Sequence, residues 1–126
     1  MATLTAIELV DAGLSPVRMF NFGSPRVGNH EFAEWASDHL EDHNRITHYR
    51  DVAVHVPSDH RFEHITGEWY EDRQHVIHAC VGSNDKSCSA QFWLFFTNVD
   101  DHSLYLNLDL SCAGVTAVVQ LLDPVV

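Results

Sequence analysis

The segment FNFGSPRVGNHEFA, residues 20–33, decides the fold of this chain of 126 residues. Its first residues belong to VRMFNF, residues 17–22, where side chains alternate in the pattern that predicts a β-strand. GSPRVGN then supplies glycine, proline, serine and asparagine, which are typical of a loop. From residue 30 to residue 40, apolar side chains return at helical spacing. The segment therefore predicts a strand, a loop and a helix in direct succession.

A helix before this segment and a strand after it extend the same pattern. Residues 2–12, ATLTAIELVDA, carry apolar side chains at helical spacing, and Gly13 followed by Pro16 is suited to end a helix there. Residues 44–50, NRITHYR, predict a second strand. The order helix, strand, loop, helix, strand is typical of a single α/β domain.

The second half of the chain is aromatic and rich in histidine. Residues 67–71 and 74–80 are short segments that predict strands. Residues 92–96, FWLFF, form a compact apolar run that is a candidate for the core. The apolar tail, residues 114–126, receives no structural assignment.

The composition excludes several classes of partner. Seven lysines and arginines stand against eighteen acids, for a formal net charge of −11. Binding to nucleic acid or docking on anionic lipid needs basic surface, so we expect neither. We interpret the acidity as a device for solubility. No segment has the roughly 20 apolar residues that span a bilayer, so we expect no integral membrane segment.

Ten histidines raise the question of a metal site. His39 and His43 could face one way on a helix, and His75 and His78 are close in sequence. No HExxH or CxxC frame surrounds either pair. We therefore expect no metal site and no cofactor.

The chain has three cysteines. Cys80 and Cys88 bracket a polar loop, which favours a disulfide in an oxidising compartment. Three free, buried thiols in a cytosolic protein are the alternative. If the disulfide forms, Cys112 is left over, and an odd cysteine invites a partner outside this chain.

Asp51 and His102 are candidates for acid-base chemistry. Asp51 follows the end of a predicted strand, where open α/β sheets place ligands and catalytic groups. The alternatives are a turn or capping role for Asp51 and a surface position for His102. Their separation in sequence carries no signal, because acid-base chemistry requires only that the side chains meet in space.

Residues 20–33 are very similar to the segment that follows the nucleophile helix in fungal-type (class 3) lipases and feruloyl esterases, with the family pattern (F/Y)GxPRVGN. Later segments resemble other parts of the family in the same order. NRITHYRDVAVHVP is similar to the strand that ends in the triad aspartate, and FEHITGEWY to an aromatic strand. Cys80 to Cys88 resembles a small disulfide loop, and DDHSLY the segment that carries the triad histidine. The resemblance covers about residues 1–112, and the tail, residues 113–126, lies outside it.

The resemblance implies an incomplete α/β-hydrolase, in which residues 1–126 hold the C-terminal part of the central sheet with flanking helices. Asp51 corresponds to the triad acid and His102 to the triad base. The GxSxG motif of the nucleophile is absent from every position, so the serine is expected upstream. Val54 stands where the family often has proline, and Cys112 resembles a family cysteine whose partner lies nearer the N-terminus.

The implied function is hydrolysis of carboxylic esters in lipid metabolism, with a lipid or other ester as substrate and a secreted or lumenal location. Ser24 and Ser103 lie nearest the motifs, but no nucleophile elbow surrounds Ser24. The alternative is a catalytically inactive, hydrolase-like binding protein. For the chain alone we expect marginal stability, with an open sheet edge and exposed apolar residues such as Val17, Met19 and Ile46.

Overall fold

The computed structural model describes residues 1–111; Cys112 and the tail, for which the sequence made predictions, lie outside the described residues. Two helices and six strands follow one another, joined by loops and short 3-10 turns. They are α1 (Ala2–Asp11), β1 (Arg18–Phe22), α2 (His30–His39), β2 (Asp42–His48), β3 (Glu68–Glu71), β4 (Ile77–Ala79), β5 (Leu104–Tyr105) and β6 (Leu108–Asp109).

Four of these strands form one mixed sheet in the order β1-β2-β3-β4. β1, β2 and β3 run parallel, and β4 is antiparallel to β3. α2 makes the crossover between the parallel strands β1 and β2, as parallel pairs require. The predicted α/β class is therefore confirmed, and the carboxyl ends of three strands meet at one edge.

Local capping contacts set the start of α2 and the end of α1. The side chain of Asn29 accepts a hydrogen bond from the Phe32 amide over 3.0 Å, and this caps the first turn of α2. After α1, Gly13 adopts a φ of +80°, and the Leu14 amide donates to the Leu9 carbonyl over 3.0 Å. A residue without a Cβ suits this left-handed position. The helices predicted over residues 2–12 and 30–40 are thus confirmed to within one residue at each end.

The core lies between the sheet and the helices. Six buried apolar residues form it: Ala6, Ile7, Met19, Ala36, Leu40 and Ile65. The predicted exposure of Met19 and Ile46 is wrong: Met19 is only 4% exposed, and Ile46 is also buried. α1 and α2 cover the face of β1 that carries Met19, so the strand's opposite face is left exposed, with Phe20 at 60%. Among the described strands β1 pairs only with β2, which leaves its outer edge open.

The apolar run at residues 92–96 does not belong to the core. Trp93 is 76% exposed and Phe95 is 93% exposed, so the assignment of this run to the core is wrong. Its last three residues form a 3-10 turn, Leu94–Phe96. Phe92 alone meets the ring of Tyr49 edge-on, with centroids 5.4 Å apart, and lies below the Arg50 guanidinium. Trp93, Phe95 and Phe96 remain exposed.

A disulfide joins Cys80 to Cys88 and confirms the favoured pairing. Cys88 is buried, and the next residue, Ser89, donates its amide to Glu68 Oε1 over 3.3 Å. The loop closed by the disulfide is thereby attached to β3.

A buried ion pair ties β2 to β3. Arg45 Nη2 lies 2.9 Å from Glu68 Oε2, and both side chains are almost fully buried. Thr47 donates its hydroxyl to Glu68 Oε1 over 2.7 Å. Breaking such a pair leaves an uncompensated buried charge, which makes the central strands dependent on both partners.

Neither helix within residues 1–111 is long and apolar enough to cross a membrane.

His64 is a buried histidine that the fold keeps neutral. Its Nε2 donates to the Val54 carbonyl over 2.7 Å. Burial lowers the pKa of His64 from 6.5 to about 3, and the charge of Arg45 acts in the same direction. Below about pH 6.5 the unfolded histidine therefore takes up a proton that the folded one does not. Protons then favour the unfolded chain.

We predict that His64 lowers the free energy of unfolding by about 2 kcal/mol between pH 7 and pH 5, with further loss until about pH 3. Urea unfolding at several pH values measures this loss. His64→Gln keeps a donor for Val54 but does not titrate, so it should remove this part of the pH dependence. His60→Gln changes an exposed histidine and should retain it. An unchanged slope in His64→Gln would contradict the prediction.

Candidate active site

Asp51 lies in a tight turn just past the carboxyl end of β2. The Asp51 amide donates to the His48 carbonyl over 2.9 Å, and its side chain is 0% exposed. Its Oδ1 accepts the Ala53 amide over 2.6 Å, a local turn contact that leads into the 3-10 turn Ala53–His55. Asp51 thus has the turn role that was the alternative to a catalytic one, and this contact holds one side of the carboxylate.

The structure brings His102 against Asp51 across 51 residues of sequence. His102 lies in the 3-10 turn Asp100–Ser103, and its Nδ1 is 2.9 Å from Asp51 Oδ2 and 3.1 Å from Oδ1. Because an ionised carboxylate only accepts hydrogen bonds, Nδ1 carries the proton in this contact. The Nε2 of a neutral ring then has a free lone pair. The His102 side chain is 44% exposed, which leaves the ring accessible to a reacting group.

Backbone pairing holds the two loops together. The Asn98 amide donates to the Arg50 carbonyl over 2.9 Å, and the Val52 amide donates to the Asn98 carbonyl over 3.1 Å. These bonds form an isolated parallel bridge between Asp51 and Asn98. These backbone hydrogen bonds alone hold the loop that leads into His102 beside Asp51.

Asp101 anchors the turn that carries His102. Its Oδ2 accepts the Arg50 amide over 3.2 Å and the Asn98 side-chain amide over 2.8 Å. Its carbonyl accepts a hydrogen bond from His48 Nδ1 over 3.1 Å. The acid next to His102 therefore positions the turn and does not face the imidazole as a second base.

Tyr105 is a third member of the cluster that sequence reasoning missed. Its hydroxyl donates to Asp51 Oδ2, and its ring is buried. Burial raises the pKa of Tyr105, and the negative charge of Asp51 raises it further, so the phenol stays protonated as a donor. Its position three residues after His102, in the quoted segment DDHSLY, is the only signal that the sequence offers.

Gly23, directly after β1, is the second residue that was missed. Its φ is +57°, and a Cβ added there would lie 2.5 Å from Asp51 Oδ2 and 2.8 Å from His102 Nδ1. Real Cβ atoms do not approach other atoms so closely. The glycine of the GSPR loop therefore leaves the space that the Asp51–His102 pair fills. Its place in the segment that decides the fold was a signal for this role.

A separate cavity of about 450 Å³ is lined by residues 92–95 and by polar groups that include Arg26 and His55. Arg26 Nη1 donates to the His55 carbonyl over 3.1 Å. Burial lowers the pKa of His55, and the charge of Arg26 acts in the same direction. Neither Asp51 nor His102 lines this cavity, which is therefore distinct from the Asp51–His102 pair.

The other candidates from the sequence have different surroundings. His39 ends α2, whereas His43 lies in β2, so the two do not share a helix. The hydroxyl of Ser24 donates to the neighbouring Pro25 carbonyl over 3.2 Å, and Ser24 is buried. His78 Nε2 lies 2.8 Å from Asp72 Oδ2 at the surface, in an ordinary ion-pair geometry.

A mixed sheet with an acid after one strand and a histidine in a later loop at the same edge has the architecture of the α/β-hydrolases. Residues 1–61 match the family described as lipase (class 3). A secreted mono- and diacylglycerol lipase of Gibberella zeae is 33% identical over 108 residues, covering 71% of this chain and 26% of that protein.

Solved lipases share the fold. A triacylglyceride lipase of Rhizomucor miehei superposes with a TM-score of 0.76 and 26% identity, over 86% of this chain and 43% of its own. Lipase II from Rhizopus niveus superposes with a TM-score of 0.72 and 30% identity, over 86% of this chain and 43% of its own. Lip2 lipase from Yarrowia lipolytica superposes with a TM-score of 0.73 and 26% identity, over 83% of this chain and 42% of its own. The chain belongs to the class 3, fungal-type lipase family and spans less than half the length of these relatives.

Proposed function

We propose that this chain supplies the acid and the base of a Ser-His-Asp ester hydrolase that acts on lipid esters. The observation that carries the proposal is the hydrogen bond of 2.9 Å between the buried Asp51 carboxylate and His102 Nδ1. It lies at the carboxyl edge of the parallel strands, where α/β proteins place their reacting groups. The serine is expected upstream, because no GxSxG motif occurs in these 126 residues.

Each side chain has one task in this mechanism. Asp51 keeps the Nδ1 proton in place, so Nε2 of His102 can take the proton of the serine hydroxyl as the oxygen attacks the ester carbonyl. The imidazolium formed is stabilised by the buried carboxylate. His102 then gives the proton to the departing alcohol, and a water activated in the same way releases the acid. Tyr105 acts as a positioning residue, because it holds the carboxylate without contacting the reacting atoms.

Substrate and location are proposed from the relatives. The Gibberella zeae protein is named as a secreted mono- and diacylglycerol lipase, and the Rhizomucor miehei protein as a triacylglyceride lipase. We therefore propose esters of glycerol as the substrate class. A secreted protein also suits the Cys80–Cys88 disulfide, since such bonds persist in oxidising compartments.

A comparison of two proteins tests the proposal. One is the chain by itself, and the other is the same chain extended by the coding sequence directly upstream. Hydrolysis of a short-chain nitrophenyl ester and labelling by a fluorophosphonate probe of serine hydrolases are measured for both. We expect hydrolysis and labelling by the extended protein and only background from the chain alone, because the nucleophile and its oxyanion hole belong to the extension.

Two outcomes would overturn the proposal. Hydrolysis by the chain alone that His102→Ala abolishes would place the nucleophile within these 126 residues. A folded extended protein with neither hydrolysis nor labelling would favour the alternative, a catalytically inactive binding protein of hydrolase fold.

A further inference from the structure

We propose that His48, Glu71 and His75 form a binding site for Zn²⁺. Each residue offers one ligand atom, and the three atoms lie within 4.8 Å of one another. Ligands about 2.0–2.2 Å from a tetrahedral zinc ion are roughly 3.4 Å apart. Small side-chain rotations therefore bring all three into coordination. From the sequence, only His39 with His43 and His75 with His78 were considered, and no metal site was expected, because only the folded chain brings His48 near the hairpin.

The backbone fixes two of the three ligands. His48 ends β2 and Glu71 ends β3, and the two are partners in the parallel register of these strands. His75 lies in the turn between β3 and β4 with a φ of +61°. The rings of His48 and His75 are nearly parallel, at 8°, with centroids 5.5 Å apart. His75 Nδ1 already lies 2.7 Å from Glu71 Oε1. The three groups are therefore already close together, and zinc would take the place of the proton that now joins His75 Nδ1 to Glu71, releasing it to solvent.

Neighbouring hydrogen bonds orient the ligand atoms. His48 Nδ1 donates to the Asp101 carbonyl over 3.1 Å, so Nε2 of a neutral His48 has the free lone pair. Glu71 Oε2 accepts the Leu106 amide over 2.8 Å, while Oε1 is directed to His75. Side chains that bind metals in proteins are typically oriented by hydrogen bonds of this kind, often from the second ring nitrogen of a histidine to a backbone carbonyl.

A cation beside Glu71 would stabilise its buried carboxylate. Its side chain is 0% exposed, and an ionised carboxylate is costly to bury without compensation. Within residues 1–111, the ion-pair partner of Glu71 is His75, itself a proposed ligand, whereas Glu68 pairs with the permanently charged Arg45. Two imidazoles and one carboxylate suit zinc, whereas magnesium and calcium prefer oxygen ligands.

The site is open to solvent on one side. His48 and His75 line a cavity of about 350 Å³, which gives the ion a path and leaves room for a water as fourth ligand. Arg50 and Arg73 also line this cavity. The guanidinium of Arg50 lies over the ring of Tyr49, 5.1 Å from its centroid, so its charge is held against an aromatic face.

Zinc at this site would brace the segment that carries His102. The Asp101 carbonyl bonded to His48 precedes His102, and the Leu106 amide bonded to Glu71 follows Tyr105. Both ends of residues 101–106 are thus attached to ligands of the site. Binding of zinc to the folded chain should raise its free energy of unfolding by mass action. This consequence does not depend on the proposed hydrolase activity.

Titration with Zn²⁺ tests the proposal. The chain is treated with a chelator, dialysed and titrated by calorimetry, and the visible spectrum of bound Co²⁺ reports the coordination. We expect one zinc ion per chain and no comparable binding of Mg²⁺. His75→Ala should weaken zinc binding at least tenfold. His78→Ala is the matched control, because it removes a neighbouring histidine of the same hairpin that pairs with Asp72.

The substitutions also separate binding from folding. His75 lies in a turn and is partly exposed, so circular dichroism should show that His75→Ala folds. Glu71→Gln retains an acceptor for Leu106 and, where it folds, should also weaken binding at least tenfold. Failure to bind one zinc ion, or equal affinity in His75→Ala and the unchanged chain, would overturn the proposal. Because no step of the test needs hydrolysis, its outcome is distinct from that of the activity assay.

Discussion

Asp51→Asn in the extended, serine-containing protein is expected to lower kcat by about 10⁴-fold, and His102→Ala by at least as much. The reason lies in the contact of 2.9 Å between Asp51 Oδ2 and His102 Nδ1. An asparagine can present its NH2 group to Nδ1, which favours the tautomer with the proton on Nε2. The ring then cannot accept the proton of the serine hydroxyl.

The matched control for this prediction is Asp100→Asn. Asp100 lies two residues before His102 and is exposed, so its substitution removes the same charge near the same ring without touching the carboxylate pair. It should leave kcat close to that of the unchanged protein. The double variant of Asp51 and His102 should lose no more than His102→Ala alone, because residues that act as a unit are not additive. A loss below tenfold for Asp51→Asn would remove Asp51 from the mechanism.

Gly23→Ala is expected to lower kcat by about 10²-fold, the cost of misplacing reacting groups by about 1 Å. Its Cβ would lie 2.5 Å from Asp51 Oδ2 and 2.8 Å from His102 Nδ1, so the pair must move apart. The left-handed backbone at φ +57° adds a stability cost of roughly 1–2 kcal/mol. NMR of the His102 ring measures the displacement even in a protein without the serine.

Gly82→Ala separates the two effects of the Gly23 substitution. Gly82 has a similar φ of +72°, but a Cβ there would meet no atom within 4 Å. It should therefore lose a similar amount of stability while the His102 signal and kcat remain unchanged. Equal behaviour of the two variants in the His102 spectrum would show that Gly23 has no special relation to the site.

The helices were predictable because their signals are local. Gly13 after α1 acts on its own neighbours and was identified from the sequence, and α2 was predicted from the spacing of its apolar side chains. The exposure of residues 92–96 and the burial of one face of β1 could not be predicted in this way. Both depend on how helices, strands and loops pack against one another in the folded chain. Apolar content alone does not distinguish a buried strand from a surface turn, as Phe95 demonstrates.

The site was predictable only in part and for a different reason. Spacing carried no information on the contact between Asp51 and His102, and the resemblance to a family supplied it. Tyr105 and Gly23 escaped because their roles are defined by distances of a few ångströms between distant loops. The same holds for the Arg45–Glu68 pair, which requires the register of β2 and β3 to be known.

Asp51 receives hydrogen bonds from groups that join the chain at very different times. The Ala53 amide is its near neighbour, whereas His102 and Tyr105 lie 51 and 54 residues further on. During synthesis the turn after β2 can therefore form well before the two distant donors emerge. Until His102 and Tyr105 reach Asp51, water molecules take their place as hydrogen-bond donors to the carboxylate. The hydrogen bond from His102 Nδ1 to Asp51 consequently reports, without any substrate, that the turn Asp100–Ser103 has packed against the turn after β2.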